Sequence, residues 1–203
     1  MNGPATSGRW STPRRIARNA RIDMHFGLPL AFAYVRNRKQ SNSDYVDLEA
    51  IFENSIKAGD GLVDVGCGAG RVINQWLWMG LENSIYGLEI DNRLGATTRR
   101  RLRRFENVEI IIGDAVANLP SDGTVFFLFN PFDRDTVRRF ADAITDTAAN
   151  ADGAITILYL NCKHVDVFQD DPTFDVDIEQ LNGASAGSGQ SLATVTLRSR
   201  RSR

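Results

Sequence analysis

The chain has 203 residues, 42% of them hydrophobic, and 24 Lys and Arg stand against 25 Asp and Glu for a formal net charge of −1. That size and apolar content fit one globular domain around a single core, and the balanced charge provides no general attraction to nucleic acid. Two isolated cysteines, Cys67 and Cys162, exclude a disulfide framework or a cysteine-based metal site.

The charge is unevenly spread. No acid precedes Asp23, whereas Arg9, Arg14, Arg15, Arg18 and Arg21 lie in that opening, and Arg198–Arg203 is basic again. Solvated tails account for both ends, with a docking arm for an acidic partner as the alternative. No stretch reaches the ~20 apolar residues of a membrane helix, and the start lacks the apolar segment of a secretory signal. A reduced, cytoplasmic protein with no membrane partner is the expectation, although the Arg- and Ser-containing start has some transit-peptide character.

Residues 1–42 read as an N-terminal extension. A short helix is predicted at 14–20, and the nearly alternating Asp23–Val35, broken by Pro29, reads as a lid or an edge segment. From Ser43, an N-cap candidate, Val46, Leu48, Ile51, Phe52 and Ile56 mark an amphipathic helix. Strands are then predicted near 62–66, 85–89, 108–112, 124–129 and 154–160. Helices fall near 70–80, 92–104, 115–119 and 134–149, and Phe174–Leu181 and Ser191–Arg198 are two further strands around a glycine- and serine-rich link. The alternation of apolar strands with helices calls for a doubly wound α/β, Rossmann-like sheet covered on both faces, mostly parallel, with an antiparallel C-terminal strand pair. The domain is set at 43–199, with 200–203 as a basic tail.

The densest signal is Leu62-Val-Asp-Val-Gly-Cys-Gly-Ala-Gly-Arg-Val72, followed by Tyr86-Gly-Leu-Glu-Ile-Asp91. This is the layout of a nucleotide-binding βαβ unit. The pyrophosphate-binding spacing fails, however, because Arg71 occupies the position of the last small residue. Asp64 beside the loop also disfavours a pyrophosphate and suits a ligand carrying an ammonium and a sulfonium. Gly66, Gly68 and Gly70 permit close backbone approach and positive φ, and the following helix offers its N-terminus to a carboxylate. Both arguments favour S-adenosylmethionine over a nicotinamide dinucleotide.

These segments resemble those of the class I, seven-stranded S-adenosylmethionine-dependent methyltransferases, over roughly residues 60–160. The resemblance implies that Glu89 accepts hydrogen bonds from the ribose hydroxyls and that Asp114, in Gly113-Asp-Ala115, contacts the adenine amino group. It also implies that Asn130-Pro131-Phe132, at the end of Phe126–Phe129, faces the methyl-transfer centre. That triplet is similar to the Asp/Asn-Pro-Pro-aromatic motif of amino-methyltransferases, except that Phe132 replaces the second proline. It is also similar to the Asn-containing motif of the non-SET histone-lysine methyltransferases. The expected activity is methyl transfer to a nitrogen, or less readily an oxygen, of a small-molecule or protein acceptor, with no metal needed. Alternatives are a protein-lysine or nucleic-acid methyltransferase that docks through the basic ends, and a non-catalytic cofactor-binding protein.

Bland readings stand beside these. Asp91 fits a helix cap better than a ribose contact, Asp114 could cap a turn, and Asn130-Pro131 could be a plain turn. His25, His164 and Tyr45 are candidate pocket residues for which structural roles are the default. Arg99–Arg101 with Arg103 and Arg104 read as a solvated helix face near a helix C-terminus.

Overall fold

A computed structural model describes residues 12–29, 44–148, 154–181 and 190–197. Ser43, Leu30–Val35, Arg9, the 182–189 link and Arg198–Arg203 lie outside them. In chain order the elements are α1 (Thr12–His25), α2 (Tyr45–Phe52), β1 (Leu62–Val65), α3 (Arg71–Trp78), β2 (Ile85–Glu89), α4 (Asn92–Leu102) and β3 (Val108–Ile112). They continue with β4 (Val125–Phe129), α5 (Arg134–Ala148), β5 (Thr156–Leu160), α6 (Asp166–Gln169), β6 (Phe174–Leu181) and β7 (Gln190–Leu197).

The strands form one seven-stranded sheet in the order β3-β2-β1-β4-β5-β7-β6. The first five run parallel, and β7 pairs antiparallel with both β5 and β6. The expected doubly wound architecture is therefore present. Alternate side chains of each strand feed two cores: Leu62, Ile85, Val125, Phe127 and Leu158 pack under α1–α4. Val63, Val65, Leu88, Phe126, Leu128 and Tyr159 pack under α5 and α6. Strands that look uniformly apolar along the chain are so because both faces are covered.

Three elements differ from expectation. The segment 115–119 forms turns, not a helix: Ala117 and Asn118 amides reach back to Asp114 and Ala115 carbonyls, and Pro120 prevents continuation. A short helix, α6, follows β5 where none was predicted. The largest difference is α1, which runs to His25 through the start of the stretch read as a lid or edge.

The reason lies in what α1 buries. Arg15, Asn19, Ile22 and Asp23 are its buried residues, and Phe26 just past its end continues the stripe at i, i+4, i+7, i+8 and i+11, which is mostly polar. Each polar group has a partner. Arg15 pairs with Asp44 and Asp47, and Asn19 bonds Asp44 while its Oδ1 accepts from the Tyr45 amide, which satisfies one orphan donor of α2. Asp44, not the neighbouring Ser43, is the N-cap of α2, accepting from Val46 N at 2.9 Å.

Asp23, with no exposed surface, takes the Arg71 guanidinium on both oxygens and the Tyr45 hydroxyl at 2.6 Å. Asn74 then donates to the Tyr45 oxygen, and Arg101 reaches both Asn74 Oδ1 and the Phe26 carbonyl. Burial and the Asp23 charge push the Tyr45 phenol up, so it stays a donor. Part of the basic opening is thus a clamp onto the domain: Arg15 and Arg18 pair with acids of the α2 region and Arg21 lies over Trp78, while Arg14 is exposed.

Removing one partner of a buried ion pair strands the other charge, so Asp23→Ala is expected to cost about 3–5 kcal/mol. Replacing both members by apolar residues (Asp23→Leu with Arg71→Met) should cost clearly less. Equilibrium guanidinium unfolding checks both, and equal losses for the single and double variants would contradict the pairing.

Candidate functional site

In a sheet of this order the chain winds away in opposite directions from β1 and β4, and the crevice beyond their C-terminal ends is the place where ligands bind. The register sets Val65 beside Leu128, so the loop after β1 and the segment after β4 meet there. Asp64, the glycine loop, Glu89, Asp114 and Asn130 all lie at this edge, at the ends of β1, β2, β3 and β4.

The loop is held by its neighbours. Gly66 N and Cys67 N both donate to Leu88 O, and Gly70 N closes a turn on Cys67 O at 2.7 Å. Thr98 from α4 donates to Gly68 O, and Arg101 donates to Ala69 O. Gly70 requires its lack of a side chain: φ is +74°, and a Cβ would sit 3.0 Å from Arg101 Nη2 and 3.1 Å from Thr98 Cγ2. It is the N-cap of α3 and, without a side chain, makes no side-chain capping bond to the first turn of the helix. Gly66 faces the other motif, where a Cβ would come within 3.2 Å of Pro131 Cβ.

Glu89 is buried and its two oxygens are split, Oε2 accepting from Gly68 N and Oε1 from Asp91 N, each at 2.8 Å. Each oxygen keeps a further lone pair for another donor. Asp64 is 4% exposed, and its Oδ2 is buried without a hydrogen-bond partner. Burial, reinforced by the nearby Glu89 carboxylate, holds its pKa well above the ordinary range. The same surroundings raise the Cys67 thiol, first by burial and then through Asp64 and Glu89. A buried carboxylate with an unsatisfied oxygen is costly unless a donor completes it.

The remaining sequence-derived residues fall as follows. Asp91 caps α4, accepting from Arg93 N and Leu94 N. Asp114 closes a local turn on Val116 N, and its other oxygen is 3.8 Å from Arg139. Asn130 has φ +46°, and its Oδ1 accepts from Tyr159 at 3.0 Å. Phe132 turns into the core under α5, 5.9 Å from Phe140. His25 stacks edge-on against Phe26 and Trp78, at the far end of α3 from the loop. Tyr45 is bound into the α1 clamp. His164 follows β5, close to Asp133 and Asp166.

The arginine cluster of α4 is no plain solvated face. Arg99 donates twice to Ile110 O, Arg104 reaches His25 O, and Arg101 is sunk enough that burial lowers its pKa. Sequence reading missed several residues at this edge. Ile90, between Glu89 and Asp91, is 76% exposed, an apolar surface at the crevice whose only sequence signal is its place between two acids. Asn161 at the end of β5 shares the left-handed backbone of Asn130, with φ +53°. Tyr159 and Thr156 carry the two hydroxyls of an otherwise apolar strand, and Tyr159 is the one near its C-terminal end.

Solved structures share this architecture. An RNA methyltransferase from Salinibacter ruber, in complex with S-adenosyl-L-homocysteine, is 18% identical with a TM-score of 0.58 over 78% of this chain and 94% of its own. A SAM-dependent O-methyltransferase from Thermotoga maritima is 13% identical with a TM-score of 0.60 over 80% and 69%. The glycopeptide N-methyltransferase MtfA, complexed with S-adenosyl-L-methionine, is 12% identical with a TM-score of 0.58 over 75% and 93%. The chain has the Rossmann-like fold of the class I S-adenosylmethionine-dependent methyltransferases. No protein-family model and no curated protein sequence matches it. Among the described residues no helix is long and apolar enough to cross a membrane.

The Asp64 geometry generates a stability test. Its carboxyl ionises less readily in the folded chain than in the unfolded one, so its charge lowers native stability as pH rises from the ordinary carboxylate range towards the raised pKa. Asp64→Asn is therefore expected to unfold at higher denaturant than the parent at about pH 8, and the gap should close towards about pH 4, where the parent carboxyl is protonated. A gap that widens on acidification would contradict the assignment.

Proposed function

We propose that this chain is a methyltransferase that uses S-adenosylmethionine and acts on a nitrogen. The observation that carries the reading is the unsatisfied, buried Asp64 oxygen beside the glycine loop, which calls for a cationic donor where a pyrophosphate would be repelled. S-adenosylmethionine fits the residues present. Asp64 and the loop of Gly66, Gly68 and Gly70 would hold the amino-acid end, whose carboxylate suits the uncapped N-terminus of α3. Glu89 would take the ribose hydroxyls on its remaining lone pairs, in charge-assisted bonds roughly twice as strong as neutral ones. Ile90 supplies apolar surface and Asp114 a polar contact for the adenine. Bound there, the cofactor supplies a methyl group activated by its sulfonium.

The acceptor side is Asn130-Pro131-Phe132. Pro131 presses on Gly66, and Phe132 anchors the turn in the core, so Asn130 is fixed relative to the loop. An acceptor nitrogen held beside Asn130 would take that methyl group in a displacement at its carbon and shed its proton to solvent, with S-adenosylhomocysteine as the product released. Alignment of such a displacement can contribute up to ~7–11 kcal/mol of the barrier, and this chain's contribution is that alignment. The folds of methyltransferases acting on RNA, oxygen and nitrogen support the reaction class and leave the acceptor open. Internal pairing of Arg15 and Arg18 weighs against docking through the opening segment.

Titration calorimetry tests the reading. S-adenosylmethionine and S-adenosylhomocysteine should bind and NAD should not, and Asp64→Ala or Glu89→Ala should weaken binding about ten- to hundredfold, the loss of one charge-assisted buried bond. Because the ligand ammonium needs the ionised carboxylate, parent affinity should rise with pH until the raised Asp64 pKa is passed. Asp64→Asn should flatten that rise. Undiminished binding in both alanine variants would sink the site assignment.

A further inference from the structure

Tyr159 is the penultimate residue of β5, fully buried beneath the strand end with its ring edge-on to Phe168 at 6.4 Å. Burial pushes its pKa up to about 12, against a smaller opposing pull from the His164 backbone amide, so the hydroxyl keeps its proton at neutral pH. A buried hydroxyl proton must be given to an acceptor, and the atom it meets is Asn130 Oδ1 at 3.0 Å. This fixes which way round the amide sits. With the amide reversed, its NH2 would confront the phenol, and the buried hydroxyl proton would lose its acceptor.

With Oδ1 engaged, Asn130 has its two Nδ2 hydrogens left, and among the described residues they have no partner. They stand at the end of β4, one residue before Pro131, which abuts the glycine loop at Gly66. The residue is held in a left-handed backbone conformation (φ +46°) that asparagine tolerates better than most.

We propose that Tyr159 is a positioning residue that presents the Asn130 amide as a hydrogen-bond donor, and that the acceptor is accordingly a nitrogen conjugated to a hydrogen-bond-accepting atom. An N–C=N or N–C=O edge, as in an aza-heterocycle or an amide, meets this requirement. The donor holds the neighbouring atom and leaves the reacting lone pair free, and asparagine reads conjugated base edges by the same complementarity. An alkylammonium has three donors and no acceptor, so it meets the Asn130 hydrogens with repulsion. The inference rests on the methyltransferase reading and narrows its substrate class.

The test uses the full chain saturated with S-adenosylhomocysteine, which blocks the cofactor's own adenine pocket. Saturation-transfer NMR compares 2-aminopyridine, a minimal conjugated edge, with benzylamine, an alkylammonium of similar size. Both are held at millimolar concentration and slightly alkaline pH. Transfer to 2-aminopyridine should exceed that to benzylamine by about fivefold or more. Asn130→Asp, which replaces donors with acceptors, should reverse the preference. Tyr159→Phe, which frees the amide to turn, should bring the two within about twofold. Affinity for S-adenosylhomocysteine should hold in each variant, which a merely structural role for Tyr159 would not predict alongside a changed preference. No transfer to 2-aminopyridine, or equal or greater transfer to benzylamine, overturns the substrate class. An unchanged ratio in Tyr159→Phe overturns the positioning role. Failure of S-adenosylhomocysteine to bind in the preceding titration overturns the methyltransferase reading and this inference together.

Discussion

The buried Asp23–Arg71 pair is the interaction on which the rest of the architecture leans. Arg71 is the first residue of α3, immediately after the last glycine of the loop, and it is 7% exposed. A guanidinium at that depth is tolerable only with its charge matched and its donors occupied, and Asp23 does this from a helix 48 residues earlier. The pair thereby fixes α1 on the start of α3. Through Tyr45, Asn74 and Arg101 the same network extends to α2, α4 and the Ala69 carbonyl. A loop of three closely spaced glycines has little rigidity of its own. Its shape is imposed from outside by a polar network that is costly to break at any one point.

Within this imposed shape four buried side-chain polar atoms among the described residues lack a hydrogen-bond partner: Asp64 Oδ2, Gln75 Nε2 and Oε1, and Trp76 Nε1. The clamp leaves Asp23 saturated, whereas Asp64 Oδ2, on the same side of the sheet, has no donor at all. A fold that partners Arg15, Asn19, Asp23 and Arg71 so thoroughly is not short of donors. Of the four, Asp64 Oδ2 alone belongs to a carboxylate beside the glycine loop, and in the proposed reading its partner would come from the ligand.

How much of this could be read from the sequence depends on how each residue is held. The parallel strands were legible as short apolar runs, which burial on both faces accounts for in β1, β2, β4 and β5 though not in the half-buried edge strand β3, and β6 came out with its bounds intact. The glycine loop, Asp64 and Glu89 were legible because their spacing carries its own chemistry. Of α1 only the part at 14–20 was legible, and neither its run to His25 nor its burial was, because its buried stripe includes Arg15, Asn19 and Asp23, residues that an apolar-periodicity reading assigns to solvent, while Ile16 and Met24 stay exposed. The arginines of α4 misled for the same reason. Arg99 and Arg101 are held by backbone carbonyls at Ile110, Phe26 and Ala69, partners invisible in a linear chain. Tyr159 gave only a faint signal, a hydroxyl in an apolar strand, and its meaning depended on the register that sets it beside Leu128, two residues before Asn130.

That register also explains the division of labour at the crevice. In the proposed reading the cofactor half would be built from β1 and β2, whose backbone glycines and two acids suit a cationic, hydroxyl-bearing ligand. The acceptor half would be built from β4 and β5, where both strands end in asparagines in the left-handed region, Asn130 and Asn161. Turning each chain end sharply at the sheet edge keeps the side chain at the crevice instead of carrying it into the following helix. The two halves touch at Gly66 and Pro131, where there is no room for even a single added methyl group without displacement. Any movement of the Asn130 turn is therefore resisted by the glycine loop, and the α1 clamp resists any movement of that loop. In the proposed reaction the distance between methyl donor and acceptor would in this way be set by side-chain contacts made as far away as Asp23.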